Sequence, residues 1–345
     1  HLIGIDEAFA LIERTNRSVT GTESVPLADA IGRVLTNSIR ATGMVPPFAN
    51  AAMDGYAFNT ADLDGDGPWT LSVAGRVAAG EVSQKAIAKG TAVQIFTGAP
   101  VPDGSNAVMM QEDVNRVTTG IEIHRRIAPQ TNIRAAGEDM TKGKTVVPAG
   151  RCLTARDIAA CAAAGHAKVS VQCKLKVALI VTGDEIRQPD QPRGKAGIWD
   201  VNSPMLSAAI QQPSIDLCAV QSAADTRKAL KAQLAALANR VDLIVTTGGI
   251  SVGEEDHVKP ALNDLNAKIT FSGVAVKPGK PVSIGQLGST AWMGLPGNPL
   301  SAFVTWHLFG IALCNALTGQ TENRSNRRHV VLSKPLRHSA GRCEL

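Results

Sequence analysis

The sequence predicts a multidomain α/β protein whose main part is a three-layer α/β domain with a mostly parallel sheet. Strand-like and helix-like segments alternate from Lys176 onward, which is typical of parallel strands that helices cover on both faces. Several of these strands end abruptly in loops rich in glycine or carboxylates. With 345 residues, the chain also exceeds what one hydrophobic core usually serves. A discontinuous mixed domain and an inserted β-rich domain are therefore expected as well.

The chain opens with a predicted amphipathic helix over Ile5 to Arg14, because its apolar residues recur at helical spacing and Asp6 is placed to cap it. A second short helix is predicted over Leu27 to Leu35. Pro46 and Pro47 then forbid helix and mark the entry into another domain.

Short alternating runs from about Ala57 to His124 predict the β-rich domain. Asp54, just before it, is read either as a turn-making residue or as an exposed functional carboxylate. A helix is predicted over Thr154 to Ala164, where Thr154 and Asp157 resemble a capping box. We therefore expect one discontinuous domain over 1–46 and 137–175, with the β-rich domain over 47–136 inserted into it.

The predicted α/β domain spans 176–322. Its first strand, Val177 to Val181, runs into Thr-Gly-Asp-Glu, and Asn202 or Ser203 then caps a helix. A short strand is expected over Leu217 to Gln221. Asp225 is expected to cap the next helix, with a direct site role as the open alternative.

A buried strand over Val241 to Val245 ends in Thr-Thr-Gly-Gly, and glycines there let backbone N–H groups approach an anion closely. The strand that follows Ala291 runs into Leu-Pro-Gly-Asn-Pro. Asn298 and Pro299 are expected to begin a long apolar helix that Gly319 ends.

Parallel strands present their carboxyl ends at one edge of a sheet, so these loops should meet. Glu185, Glu254 and Asp256 would then lie beside helix N-termini, with Lys277 and Lys280 nearby. Carboxylates and phosphate share a site when Mg²⁺ lies between them, so the edge predicts a phosphate and magnesium site. The alternative is that these glycines and carboxylates only form the turns that connect strands to helices, as is common in α/β proteins.

Composition excludes other classes. Aromatic residues make up 3% of the chain and the net charge is +5, which disfavours a nucleic-acid partner. No apolar run looks long enough to cross a bilayer and the start does not resemble a secretion signal, so we expect a cytoplasmic protein without a membrane partner. The six Cys and seven His lack the spacing of a disulfide framework or a zinc site.

Taken in order, the motifs resemble those of the molybdopterin molybdenumtransferases, the bacterial relatives of the E domain of gephyrin. The resemblance covers Ile5 to about Leu336 and rests on NAAMDGYA, TGAPVPDGSNAVMMQED, GED, TGDEI, the Asp200 to Asn202 segment, TTGGISVGEED, KPGKP and GLPGNPLS. It implies an enzyme of molybdenum cofactor biosynthesis that inserts molybdate into adenylylated molybdopterin and releases AMP with Mg²⁺. It also implies a homodimer, a dimerisation role for the discontinuous domain, and adenylyltransferase and molybdoenzyme-maturation proteins as partners. Residues 323–345 would begin a C-terminal β domain that is truncated here.

The resemblance also implies the site residues. Glu185 and Asp256 would lie near Mg²⁺ and phosphate, and a companion subunit would supply Asp54, Thr97 and Asp139. Together these form the expected catalytic set. The expected binding set for substrate and molybdate is Thr182, Gly183, Asp184, Gly248, Gly249, Ser251, Gly253, Lys277, Lys280, Pro296, Asn298, Pro299 and Ser301.

Two other functions stay open at this point. A protein of the same fold could bind a pterin or nucleotide without transfer, or act as a scaffold. An adenylyltransferase has a similar α/β domain with a TTGG loop, but the first half of this chain disfavours it.

Overall fold

The computed structural model describes residues 2–16, 18, 21–250, 256–321 and 343–344. The chain divides into two compact units. The larger comprises His1–Ser38, Pro148–Ile158 and Lys168–Leu345, and the smaller comprises Ile39–Val147 and Ala159–Ala167. The four domain bounds predicted from the sequence stay a prediction.

The helices of the described residues follow in chain order: α1 Ile5–Thr15, α2 Ala155–Ala163, α3 Asn202–Ile210, α4 Arg227–Leu237, α5 Val258–Asp264, α6 Pro299–Thr305 and α7 Ile311–Leu317. A π-helical turn, Trp306–Gly310, joins α6 to α7. The strands are β1 Thr22–Pro26, β2 Ile39–Arg40, β3 Asn50–Ala51, β4 Gly55–Phe58, β5 Trp69–Val77, β6 Thr91–Ile95, β7 Ala107–Met110, β8 Val114–Val117, β9 Gly120–Ile123, β10 Ile133–Arg134, β11 Thr145–Val147, β12 Lys168–Gln172, β13 Leu175–Thr182, β14 Ile186–Arg187, β15 Ile198–Trp199, β16 Ile215–Ala223, β17 Leu243–Thr247, β18 Lys268–Ser272, β19 Val276–Lys277, β20 Ser283–Leu287, β21 Thr290–Leu295 and β22 Cys343–Glu344.

A six-stranded sheet in the order β16-β13-β17-β21-β20-β18 forms the centre of the larger unit. Its first three pairings are parallel, whereas β20 pairs antiparallel with both β21 and β18. The prediction of an α/β protein is confirmed. The parallel part brings the carboxyl ends of β13, β17 and β21 side by side.

Successive residues of β13 pack on opposite faces of this sheet. Val177, Leu179 and Val181 belong to a cluster with residues of α1, α3, α6 and α7. Ala178 and Ile180 belong to a second cluster with residues of α4 and α5. Because side chains alternate across a strand, a strand covered on both faces must be apolar at every position, which explains the run Leu-Ile-Val in β13.

The apolar helix Pro299–Leu317 corrects one expectation. Among the described residues it is long and apolar enough to cross a bilayer, with 19 residues and a mean hydropathy of 1.5, so the statement that no run is long enough was wrong. Half of it is buried, and Trp306, Phe309 and Leu313 pack in the core beneath the sheet. A core helix covered by its own fold has the same composition as a spanning one, and this explains its character.

The smaller unit contains a second six-stranded sheet, in the order β7-β4-β6-β5-β9-β8, in which only β5 and β6 pair in parallel. Two apolar clusters, one around Phe58 and one around Ile95, lie within this unit. Its β-rich character follows from the short alternating strands.

A predicted short helix and two predicted helix caps were wrong. Leu27 to Leu35 contains only a 3-10 turn, Leu27–Asp29, because Gly32 has a φ of +70° that ends helical geometry. Gly4, without a side-chain bond, stands at the N-cap of α1 instead of Asp6. At α3 the N-cap is Val201, and the Asp200 carboxylate accepts from the backbone N–H of Ser203 at 2.9 Å.

Candidate functional site

A cavity of about 620 Å³ lies in the larger unit, beyond the carboxyl ends of β13, β17 and β21. This is the edge at which open parallel sheets bind ligands. Its walls come from the loops around these strand ends and from the starts of α3 and α6: Thr182, Gly183, Glu185, Ile186, Ile198, Trp199, Asp200, Val201, Asn202, Asp225, Gly248, Gly249, Ile250, Pro281, Pro296, Gly297, Asn298, Pro299 and Ser301.

The backbone turn after β17 is packed tightly against its neighbouring strands. Gly248 has a φ of +92°, and a Cβ there would lie 2.3 Å from the carbonyl oxygen of Thr182. Its N–H donates to the carbonyl oxygen of Leu295 at 3.3 Å. Only glycine satisfies both the positive φ and the close approach, so this residue brings the ends of β13, β17 and β21 together.

A buried hydrogen-bond network forms one wall of the cavity. Asn202 Nδ2 donates to the carbonyl oxygen of Gly297 at 2.8 Å and to Thr247 Oγ1 at 3.0 Å. The Thr247 hydroxyl in turn donates to the carbonyl oxygen of Pro296 at 2.9 Å. Because both groups facing Nδ2 must accept, the orientation of the amide is fixed. Asn202 Oδ1 is buried and has no partner within the described part of the chain.

Carboxylates gather where β13 ends. Glu185 is exposed and lines the cavity. The prediction that Asp225 caps a helix was wrong, because the N-cap of α4 is Thr226, whose Oγ1 accepts from the N–H of Ala229 at 3.3 Å. One residue earlier, Asp225 lines the cavity and accepts from the Thr182 hydroxyl at 3.1 Å.

Asp184 supports this arrangement from behind. Its Oδ1 accepts from the backbone N–H of Asp225 at 3.0 Å, and Asp184 itself is not among the residues that line the cavity. The Asp184 carboxylate therefore holds the Asp225 backbone in place, whereas Asp225 itself forms part of the cavity wall.

The loop after β21 begins α6 as expected. Asn298 is the N-cap of α6 and accepts from the N–H of Ser301 at 3.2 Å, and Pro299 occupies the first turn. Pro296, Asn298, Pro299 and Ser301 all line the cavity. The positive end of α6 therefore faces the space in which a phosphate or oxyanion could bind.

The Asp256 carboxylate is partly buried just before the start of α5, beside Lys259. Its Oδ1 is buried without a hydrogen-bond partner among the described residues, and Lys259 Nζ lies 3.5 Å from Oδ2. Burial raises the pKa of the Asp256 carboxyl, and the Lys259 ammonium opposes that shift. The predicted residues Ser251, Gly253 and Glu254 lie outside the described residues.

The Lys-Pro-Gly-Lys-Pro segment borders the cavity through Pro281. A Cβ at Gly279 would lie 2.3 Å from Thr305 Cγ2, so this segment packs closely on α6. Lys277 and Lys280 are exposed, and neither is among the residues that line the cavity.

The remaining predicted residues lie in the smaller unit. Asp54 Oδ1 accepts from the Thr97 N–H at 2.8 Å and from the Thr97 hydroxyl at 2.7 Å. These two bonds, the backbone one foremost, hold the pKa of Asp54 below its usual value. Asp139 accepts two bonds from Arg134 Nη2, at 2.8 and 2.7 Å. Both carboxylates are held in place by neighbouring donors, and the functional reading of Asp54 stays a prediction.

The cavity thus contains Thr182, Gly183, Glu185, Gly248, Gly249, Pro296, Asn298, Pro299 and Ser301 of the predicted set. Of the other lining residues, the sequence indicated no role for Ile198, Trp199 or Pro281, and for Asn202 only a possible helix cap. The only sequence signal for Trp199 is an aromatic residue in a polar, glycine-containing stretch of a chain that is poor in aromatics.

The donor set fits Mg²⁺ better than a softer metal. Mg²⁺ is usually bound by one or two carboxylates together with substrate phosphates and water. Glu185 lines the cavity and supplies one such carboxylate, whereas Asp256 is not among the residues that line it, and its Oδ1 has no hydrogen-bond partner among the described residues. No group of three or more His, Cys, Asp or Glu that could hold a metal occurs within the described ranges.

Comparison with known proteins identifies the family. Residues 3–165 match the model of the MoeA N-terminal region (domain I and II), and residues 178–315 match that of a probable molybdopterin binding domain. The molybdopterin molybdenumtransferase of Haemophilus influenzae is 34% identical over 322 residues, which cover 93% of this chain and 79% of that one. Molybdopterin molybdenumtransferase 2 of Mycobacterium tuberculosis is 33% identical, over 92% of this chain and 81% of that one.

A solved structure agrees with these matches. The molybdopterin biosynthesis moeA protein of Pyrococcus horikoshii superposes with a TM-score of 0.80 at 30% identity, covering 94% of this chain and 81% of that one. The chain therefore belongs to the molybdopterin molybdenumtransferase family, whose members are transferases of molybdenum cofactor biosynthesis. The resemblance seen in the sequence motifs is confirmed.

Proposed function

We propose that this chain inserts molybdate into adenylylated molybdopterin and releases AMP in a Mg²⁺-dependent reaction. The observation that carries the proposal is the cavity at the strand ends, where a helix N-terminus, tight backbone turns and carboxylates adjoin one space of about 620 Å³. That volume lies in the range of small-molecule and cofactor sites. Family membership supplies the reaction class.

The chemistry of the cavity wall supports a substrate that brings its own metal ligands. The residues lining it include no Cys or His among those described. Molybdenum favours thiolates, so its sulfur ligands would come from the dithiolene of molybdopterin. The protein would then act by positioning and by neutralising charge.

Individual roles follow from position. We assign Thr182, Gly183, Gly248 and Gly249 to the binding of the pterin and adenylate parts of the substrate. Asp184 would hold the backbone of this wall in place through its bond to the Asp225 N–H. Glu185 and Asp256 would hold Mg²⁺, which would neutralise the phosphate oxygens when bound. Ser251 and Gly253 remain in the proposed binding set.

Molybdate would bind beside the start of α6. Ser301 lines the cavity there, and the Lys-Pro-Gly-Lys-Pro segment, which reaches the cavity through Pro281, carries Lys277 and Lys280. A hydroxyl and two ammonium groups suit a tetrahedral oxyanion. Pro296, Asn298 and Pro299 would fix the turn that presents these donors.

The direct test is AMP release from adenylyl-molybdopterin with Mg²⁺ and molybdate. We expect Glu185→Ala and Asp256→Ala to slow release about 100-fold or more, because preorganised charge contributes that much in comparable sites. Asp264→Asn is the matched control, since Asp264 pairs with Arg227 and does not line the cavity. Rates that are unchanged in both alanine variants would remove these residues from the mechanism.

We further propose that the active form is a homodimer in which Asp54, Thr97 and Asp139 act on the cavity of the partner copy. Thr97 already orders the Asp54 carboxylate and Arg134 orders that of Asp139, as a preformed half-site would require. Co-expressed Asp54→Asn and Glu185→Gln chains would then form mixed dimers that regain activity, whereas each variant alone stays inactive. No recovery in purified mixed dimers would contradict the shared site.

We also propose a three-layer arrangement for the α/β domain and the domain bounds 1–46 with 137–175, 47–136, 176–322 and 323–345. A cytoplasmic location and adenylyltransferase and maturation proteins as partners complete the proposal. Most of 323–345 lies outside the described residues.

A further inference from the structure

Trp199 is an exposed aromatic residue on the wall of the cavity. It lines the cavity and is 40% exposed, whereas Trp292 and Trp306 are fully buried in the core. The fourth Trp of the chain, Trp69, lies in the smaller unit, where its indole N–H donates to the carbonyl oxygen of Asp64 at 2.8 Å. A large indole left partly open beside a concave cavity offers a flat apolar face to a ligand.

The backbone around Trp199 is held firmly. β14 and β15 pair in parallel, with Arg187 opposite Trp199. The N–H of Ile198 donates to the carbonyl oxygen of Glu185 at 2.9 Å, and that of Asp200 donates to the carbonyl oxygen of Arg187 at 2.7 Å. The backbone of Trp199 is thus held beside the turn that carries Glu185, one of the proposed magnesium ligands.

The loop before β15 is tightly folded and contacts the Trp199 ring. A Cβ at Gly197 would lie 2.0 Å from the carbonyl oxygen of Arg193, so the backbone folds back on itself between these two residues. The Arg193 guanidinium lies 5.5 Å from the centre of the Trp199 ring. The ring quadrupole attracts this cation, so Arg193 occupies one face of the indole and a ligand would stack on the other face.

We propose that Trp199 is the stacking platform for a planar nitrogen heterocycle of the substrate. This inference rests on the proposed function for the identity of the substrate, which carries two such rings, adenine and pterin. Stacking of either ring on Trp199 would place the phosphate that joins it to the rest of the substrate near Glu185. Trp199 is a positioning residue in this proposal and takes no part in bond making.

The test is binding of AMP and, in a separate arm, of 6-hydroxymethylpterin, by calorimetry and by tryptophan fluorescence. Stacking on an aromatic side chain changes affinity by about 5- to 150-fold per base, so we expect a loss of that size in Trp199→Ala for the ring that stacks. Trp199→Tyr retains an aromatic face and should bind within about 3-fold of the wild type. The arm that responds identifies the ring.

Trp69→Phe is the matched control for fluorescence. Ligand-induced quenching should persist in this variant and disappear in Trp199→Phe. Because Trp199 is exposed, the variants should fold, and circular dichroism together with the affinity of Trp199→Tyr verifies this. Affinities in Trp199→Ala within 2-fold of the wild type for both ligands would overturn the proposal, as would a wild type that binds neither at millimolar concentration.

The AMP-release assay separates this inference from the proposed function. A wild type that releases AMP, with an unchanged KM in Trp199→Ala, overturns the stacking role and leaves the function standing. Quenching and weakened binding in a protein that never transfers molybdate removes the function and leaves the stacking role. If Trp199→Ala has a different mass in solution from the wild type but binds both ligands equally well, Trp199 belongs to a subunit contact and the proposal is overturned.

Discussion

Substitution of Gly248 by alanine tests the claim that the ends of three strands are packed against one another at the cavity. The residue has a φ of +92°, and the added Cβ would lie 2.3 Å from the carbonyl oxygen of Thr182. The positive φ costs an alanine about 1–2 kcal/mol. Forcing a methyl group against fixed backbone adds about 1–3 kcal/mol, giving about 2–5 kcal/mol in all.

Gly194→Ala is the matched control. Gly194 lies in the same unit with a φ of +71°, and no described atom lies within 4 Å of the position of its Cβ. Alanine there meets only the conformational cost of about 1–2 kcal/mol. The difference between the two variants isolates the steric contact with Thr182.

Urea unfolding followed by tryptophan fluorescence measures both variants. Trp69→Phe is the suitable background, because Trp199, Trp292 and Trp306 all lie in the larger unit and Trp69 lies in the smaller one. We expect Gly248→Ala to lose at least about 1 kcal/mol more than Gly194→Ala and to bind AMP more weakly. Equal losses in the two variants would refute the close packing of β17 against β13.

Three further perturbations probe single contacts. The folded-state pKa of Asp256 is raised above its unfolded value of 3.8, so the wild type loses stability as pH rises between these two pKa values. In EDTA, the unfolding free energy of Asp256→Asn should therefore increase relative to that of the wild type as pH rises above 3.8. A difference in unfolding free energy that stays constant from pH 4 to 8 would contradict this. Asn298→Ala removes the cap of α6 and should cost about 1 kcal/mol of unfolding free energy, whereas Asn298→Asp should nearly restore it. Thr97→Val removes one of the two donors to Asp54, so the pKa of Asp54 measured by NMR should rise toward 3.8; an unchanged value would assign the shift to the backbone N–H alone.

The local signals in the sequence were sufficient where neighbours along the chain decide the structure. Asn298 and Pro299 predicted the start of α6 because a cap bonds to an N–H three residues later, and the structure confirms it. Asp225 was placed wrongly, since Thr226 caps α4. A shift of one residue is beyond the resolution of sequence patterns, and here it moves a carboxylate from a helix end to a cavity wall.

The sequence by itself determined the α/β class, the succession of strands and helices along the chain, and the loops that carry glycines and carboxylates. It also determined family membership, because those loops occur as ordered motifs. The tertiary structure decided which of these loops share a cavity. Asn202 meets Thr247 across 45 residues, and Thr247 meets Pro296 across 49, contacts that depend on β17 lying between β13 and β21. The order of the strands within the sheet arises from the packing of whole helices on both sheet faces, so no local stretch of sequence encodes it. The exposed position of the Trp199 indole on the cavity wall became visible only once that order was known.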